Sequence, residues 1–285
     1  GRNCVQTLCG LVGVSKQAYY QYDEDAALAK AARESFALQY IKDIRKEDPG
    51  IGGMKLWHMY RKEFGCDYPI GRDRFCRIVD ENGLKVRLRI RKPRTTDSTH
   101  GLPTYPNLIK DYIPTAANRL WVSDITYIDL VDGCSYLHLV TDAYSHKIVG
   151  WCLSETLEAQ YTLQALQMAM EQATEEELNH LIHHSDRGVQ YCCNAYTEEL
   201  LKHGVRISMT EDYKPTDNAI AERVNGILKT EVIYREHRFK SQEDAMERIS
   251  GFISFYNEQR PHGSIGYKVP SQVHRETGAQ QRMWQ

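Results

Sequence analysis

The sequence predicts an α/β protein: an all-helical N-terminal region followed by a mixed five-stranded sheet flanked by helices. Three observations lead there. Up to about residue 84 the apolar residues recur at helical spacing, broken by turns containing Gly and Pro. Between Leu120 and Ser154 they form three short runs rich in β-branched and aromatic residues, separated by Asp132-Gly133 and Ser145-His146. Beyond Ser154, helix-like and strand-like runs alternate.

Taken in order, residues 1–25 form a first unit. Residues 3–22 read as a short helix, a turn at Gly13-Val14-Ser15 and a second helix from Lys16, with Leu8, Leu11, Val14, Ala18 and Tyr19 as an apolar seam. Residues 26–84 form a second helical unit, with helices over Ala26–Glu47, Met54–Phe64 and Arg72–Glu81 and a stop at Asp48-Pro49-Gly50. In its last helix Phe75, Ile78 and Val79 turn inward, leaving Arg72, Arg74 and Arg77 to project toward DNA bases or phosphates. A solvated basic face is the structural alternative for each arginine.

Residues 85–118 are expected as a basic strip and a Pro-rich linker. Leu84 to Arg94 holds six basic residues and no acidic one, and Arg87, Arg89 and Arg91 fall on one edge of an extended segment. Such an edge suits a phosphate backbone. Residues 1–98 carry 19 Lys and Arg against 13 Asp and Glu, whereas the remainder carries 17 against 25. A basic front and an acidic rear fit a DNA-reading part joined to a part that uses carboxylates.

Residues 119–260 are expected to form the sheet-bearing core, with strands over Leu120–Leu130, Tyr136–Tyr144, Lys147–Ser154, Asn179–His184 and Val205–Met209. Helices are expected over Glu158–Ala173 and Thr197–His203, and a long one from Asn218. Residues 261–285 are left as a C-terminal tail. This order, three antiparallel strands and then alternating helices and strands, is that of the ribonuclease H-like fold.

The 285 residues exceed one typical domain. No apolar run approaches the roughly 18 residues needed to cross a bilayer, and an intracellular location is expected. The eight cysteines form no Cys-x-x-Cys pair, which argues for reduced, packed thiols over a zinc site.

Three phrases carry the chemistry: Trp121-Val-Ser-Asp124-Ile-Thr-Tyr127, His183-His-Ser-Asp186-Arg-Gly188, and Asp217-Asn-Ala-Ile-Ala-Glu222 followed by Lys229. Each sets one carboxylate at a strand edge or on a helix. Asp124 stands among apolar neighbours, a costly place for an unpaired charge. Phosphodiester chemistry is served by two Mg²⁺ ions about 4 Å apart, and such hard cations want carboxylate oxygens. On the last helix Ile220, Val224 and Ile227 would form the apolar stripe, with Glu222 and Lys229 together on the opposite face.

These phrases, with Gln190-Tyr191, Glu231 and Tyr256-Asn257 through Arg260-Pro-His262, resemble the DDE transposase and retroviral-integrase superfamily. The likeness is greatest to the transposases of the IS3 insertion-sequence family and covers roughly residues 36 to 275. The resemblance implies that Asp124, Asp186 and Glu222 form an acidic triad holding two Mg²⁺ ions, for which Mn²⁺ can substitute. It implies that Lys229 contacts DNA near the cut, and that His184, Asn218, Tyr256, Asn257, Arg260 and His262 shape the site or hold DNA. His262 reads equally well as a packed or capping histidine.

The implied activity is DNA cleavage and strand transfer at insertion-sequence ends, on double-stranded terminal repeats and target DNA. A homodimer or larger multimer would act in the bacterial cytoplasm at the nucleoid. Full-length IS3 transposases usually begin with a further helix-turn-helix and a leucine zipper, so the chain reads as the downstream product alone or a shortened form. A metal-dependent nuclease of the same fold and a DNA-binding regulator derived from a transposase are the competing functions.

Overall fold

The computed structural model describes residues 2–15, 17, 23–86, 101–211, 218–235 and 238–278. Arg87, Arg89 and Arg91 of the basic strip lie outside the described residues, as do Asp217 and most of the helix expected from Lys16.

Helix α1 spans Arg2–Leu11, and Leu8, Leu11 and Val14 are exposed, not packed as the predicted seam. Helices α2 (Glu24–Glu47), α3 (Gly53–Phe64) and α4 (Arg72–Glu81) form the second helical unit. Asp23 caps α2 by accepting a hydrogen bond from the Ala26 N–H. Ile41, Leu56, Tyr60, Phe75, Ile78 and Val79 close one apolar core among the three helices.

The sheet has the order β3-β2-β1-β4-β5, with β1 at Leu120–Leu130, β2 at Gly133–Asp142, β3 at Ile148–Ser154, β4 at Ile182–Ser185 and β5 at Arg206–Met209. The first three strands pair antiparallel, whereas β4 runs parallel to both β1 and β5. That order and mixture of directions is the ribonuclease H-like arrangement.

One face of the sheet is covered by α5 (Ala159–Met170), α6 (Glu175–Asn179), α7 (Val189–Cys192) and α8 (Asn194–Lys202), over a core that includes Trp121, Leu166, Tyr196 and Leu200. The opposite face is covered by α9 (Ala219–Leu228), a π-helical turn (Lys229–Ile233) and α10 (Gln242–Glu258). Helix α10 has two apolar faces. Ile249, Phe252, Ile253 and Tyr256 meet the sheet layer, while Phe255 enters the core of the N-terminal helical unit. The two parts of the chain therefore share packing.

Several boundaries differ from expectation. The strand expected from Asn179 begins at Ile182, because Thr174 and Glu177 form a capping box that starts α6 and carries Asn179 into it. The expected linker packs in its described part: Leu102 and Tyr105 lie against the core, and Ser208 Oγ accepts from the Leu108 N–H at 2.9 Å. Beyond Arg260 the chain folds back, a 3₁₀ turn (Gly263–Ile265) and α11 (Pro270–Val273) burying Ile265 and Val273 against Tyr144. An isolated β-bridge then joins Ala116 to Thr277. Of the cysteines, all free, Cys9 and Cys192 are buried and Cys4 and Cys66 exposed. Among the described residues no helix is long and apolar enough to cross a membrane.

Gly150 permits the tight seating of α5 on the sheet, since a Cβ there would stand 2.0 Å from the Ala165 carbonyl oxygen. Gly150→Ala is expected to cost about 1–3 kcal/mol through overpacking. Gly251→Ala, on an open stretch of α10, should be neutral or stabilising by roughly 0.5–1 kcal/mol. Thermal melts of the two variants beside the parent check this, and a lower melting point for Gly251→Ala than for Gly150→Ala would refute it.

Candidate active site

Strand β1 alternates its side chains between the two layers. Trp121 and Ile125 face the α5–α8 layer, and Ser123 joins them there, its hydroxyl 2.8 Å from His183 Nε2. Tyr196 reaches the same nitrogen at 2.9 Å. Burial, and then the charge of neighbouring His184, pushes the His183 imidazole down to about 3, so the ring is neutral. Asp124, one residue on, faces the α9 side.

The parallel pairing of β1 with β4 brings the second carboxylate to it. Leu120 lies beside Ile182, Trp121 beside His183 and Val122 beside His184. The same register carried two residues further, just past the end of β4 at Ser185, would set Asp124 beside Asp186, and the charge of Asp186 is felt at Asp124. Asp186 Oδ1 accepts a hydrogen bond from the Gly188 N–H at 2.9 Å. Asp124 Oδ1 accepts from the Ile125 N–H at 2.9 Å, and Oδ2 accepts from the Asn225 side-chain amide. Burial, and then the charge of Asp186, pushes the Asp124 carboxyl up to about 7, against the pull of Ile125, Asn225 and Lys229.

Helix α9 supplies the rest. Asn218 precedes it and donates from Nδ2 to the Ser123 carbonyl at 3.1 Å, which moors the start of the helix beside β1. The buried stripe of α9 is Ala221, Val224, Asn225 and Leu228, rotated from the expected Ile220, Val224 and Ile227. A polar side chain thus sits in the buried stripe, and it is the one that reaches Asp124. Lys229 opens the π-helical turn, and its charge is felt at Asp124. Single π turns inside helices are common at functional sites.

Glu222 is exposed on the first turn of α9. Among the described residues no group of three His, Cys, Asp or Glu side chains stands close enough to hold a metal ion. Asn225 touches Asp124, the charges of Asp186 and Lys229 are felt there, and Glu222 is exposed on the adjoining helix. The Asp124–Asp186 pair still fits a divalent cation. It offers hard oxygen donors; burial, and then the charge of Asp186, keeps Asp124 protonated until near neutrality, and a cation would offset both.

The remaining candidates divide clearly. His184 is buried, with Nδ1 2.8 Å from Ser208 Oγ on β5. Asn257 grips β3, accepting from the Ile148 N–H and donating to its carbonyl, each at 2.9 Å. Arg260 and His262 are buried beneath the π turn, Arg260 facing Glu231 and His262 facing Arg260. Tyr256 is buried there too, its hydroxyl donating to the His146 carbonyl. All five act on the frame in this structure.

Arg72 pairs with Asp73 on the surface, and Arg77 is exposed. Arg74 was expected to project, but its guanidinium is held by Glu34 at 2.6 and 2.7 Å and by Glu81 at 2.8 and 3.0 Å, tying α4 to α2. The sequence reading overlooked Asn225. Its spacing, three residues after Glu222 and four before Lys229, was the available signal.

The Asp124 carboxyl gives a pH signature. An unfolded aspartate loses its proton near 4, and the folded one near 7. Over that interval the folded state binds the extra proton, so stability falls as pH rises. In EDTA, Asp124→Asn should melt above the parent at about pH 8, with a gap that narrows toward about pH 5. A gap independent of pH across thermal melts would overturn the assignment of a raised carboxyl.

Family models described as integrase core domain match residues 114–215 and 203–270 of this chain. The insertion element IS600 uncharacterized 31 kDa protein of Shigella sonnei is 33% identical over 268 residues, covering 93% of this chain and 96% of that protein. Transposase InsF for insertion sequence IS3A of Escherichia coli is 33% identical over 207 residues, covering 72% and 71%. The HTLV-2 integrase catalytic core domain in complex with magnesium is 17% identical, with a TM-score of 0.43 over 56% of this chain and 98% of that one. On the transposase relative and the two domain matches, the chain belongs to the insertion-sequence transposases of the IS3 family, polynucleotidyl transferases built on an integrase core.

Proposed function

We propose that the chain cuts a DNA strand at an insertion-sequence end and joins the freed 3′-hydroxyl to another DNA strand in the same site. The observation that supports this reading is the charge of Asp186 felt at Asp124, on neighbouring parallel strands whose register points the two toward each other. Asp124 and Asp186 would hold Mg²⁺ or Mn²⁺, and Glu222 would supply the third carboxylate from α9. Two such ions, when bound, activate an attacking oxygen and neutralise charge on the phosphate undergoing displacement.

The chain's own groups do the rest. Asn225 fixes the Asp124 carboxylate in orientation by donating to Oδ2. Lys229 supplies an ammonium beside the pair, suited to a DNA phosphate. In the first step water attacks the phosphodiester and the 3′-oxygen leaves as a hydroxyl; in the second that hydroxyl attacks a new phosphodiester and displaces its 3′-oxygen. No covalent protein–DNA bond is needed. Arg72, Arg77, Arg87, Arg89 and Arg91 would contact DNA backbone or bases, and two element ends would be brought together by a dimer or larger assembly.

Strand joining with a pre-cut end oligonucleotide tests the reading, because a nuclease would cut and not join. Asp186→Asn should lower joining by more than about 100-fold, the upper cost of losing an outer-shell partner, whereas Asn225→Ala should cost about 10- to 100-fold. Full Mg²⁺-dependent joining by Asp186→Asn would end the case. Separately, the double change Arg87→Ala with Arg89→Ala should weaken binding to all DNA sequences alike and reduce the slope of log affinity against log salt by about 2. An unchanged slope in filter binding or anisotropy titrations would remove those arginines from the interface.

A further inference from the structure

A buried ionic cluster lies where the N-terminal helical unit meets the end of α9, and none of the chemistry above uses it. Arg260 is fully buried and donates from Nε to Glu231 Oε2 and from Nη2 to Glu231 Oε1, each at 2.6 Å. Its Nη1 lies 2.8 Å from His262 Nε2. Asp48 Oδ2 stands 3.5 Å from Arg260 Nε, and Lys55 donates to Glu231 Oε1 at 2.9 Å. Glu231 and Arg260 belong to the core, while Asp48 and Lys55 belong to the helical unit. One carboxylate is thus shared by cations from both parts of the chain.

Burying charges costs several kcal/mol each, and an apolar cluster of the same volume would often hold as well. What the ionic version adds is direction, since a guanidinium fork engages a carboxylate in one plane. Burial opposes a charge on Glu231, but Arg260 and Lys55 more than offset that and keep it ionised. Asp48 is pushed upward by burial and by the charge of Glu231. His262 is held neutral by burial and by Arg260, so its Nε2 can accept the Arg260 N–H.

Backbone contact reinforces the fork. A Cβ on Gly50 would stand 2.2 Å from the Glu231 Cα, so the Asp48–Gly50 turn rests directly on the π-helical turn. That turn begins with Lys229, and α9 ahead of it carries Asn225. Both act on Asp124. Glu231 is therefore two residues from a group that acts on the catalytic carboxylate, and it is gripped from the helical unit.

We propose that Arg260 is a positioning residue: by clamping Glu231 against Asp48, Lys55 and Gly50, it holds the π turn so that the seating of the helical unit sets Lys229 and Asn225 against the aspartate pair. This rests on the proposed joining reaction for its activity readout, and one arm of its test does not.

The test compares Arg260→Lys, which keeps a cation and loses the fork, with Gly50→Ala, which acts from the other side of the contact. Hydrogen exchange of the whole protein, without metal or DNA, should rise over residues 224–233 in both variants and stay unchanged over β1–β3. In complexes saturated with pre-cut end DNA, joining should slow about tenfold, the scale of an outer-shell loss, at unchanged DNA affinity. Unchanged exchange in both folded variants overturns the proposal. So does an increase spread equally over sheet and helix, or a loss of joining matched by a loss of affinity. If the parent itself joins no strands, the joining reading fails while the exchange arm still decides the clamp.

Discussion

A buried aspartate, Asp124, that feels the charge of Asp186 from the end of the neighbouring parallel strand is the constraint around which this molecule is arranged. Like charges set together in a half-buried place are costly, and the neighbouring groups can be read as answers to that cost. The Ile125 N–H and the Asn225 amide satisfy Asp124, the Gly188 N–H satisfies Asp186, and Lys229 contributes positive charge. The Asp124 carboxyl still stays near neutrality in its proton affinity. Burial, and then the charge of Asp186, leaves that cost unrelieved, and perturbed carboxyls of this kind cluster at functional sites.

The sheet layers translate that local arrangement into global order. Ser123 and Asp124 are neighbours on one strand, yet one enters a neutral hydroxyl–imidazole cluster and the other the charged face. Helix α10 then ties the charged face to the helical unit, because Phe252 and Phe255 lie in different cores. The helical unit and the sheet core share one frame as a result.

Much of this was legible in the residues. The succession of strands along the chain followed from periodicity and turn signals, and β1 begins and ends where its run of apolar and β-branched residues does. Phe75, Ile78 and Val79 point inward as their spacing required. What periodicity could not give was the phase of α9: Ile220 and Ile227 look more apolar than Ala221 and Asn225, and the burial of an asparagine is decided by a partner 101 positions away. Arg74 misled for a related reason. Its spacing marks an outer face, but Glu34 from α2 takes its fork. Arg260 and Glu231 were visible as motif letters, and only tertiary structure shows that they face one another. Glu222 was visible as a motif letter too, and the structure adds that it is exposed on the first turn of its helix.

The bridge between Ala116 and Thr277, with the Gly278 N–H donating to the Thr115 carbonyl, closes the core on itself. Strand neighbours lie within about 5 Å, so two stretches far apart in the chain, Thr115–Ala116 and Thr277–Gly278, meet at one spot. A fluorophore attached at Thr277 would therefore ride beside Ala116, far along the sequence from it yet adjacent in space.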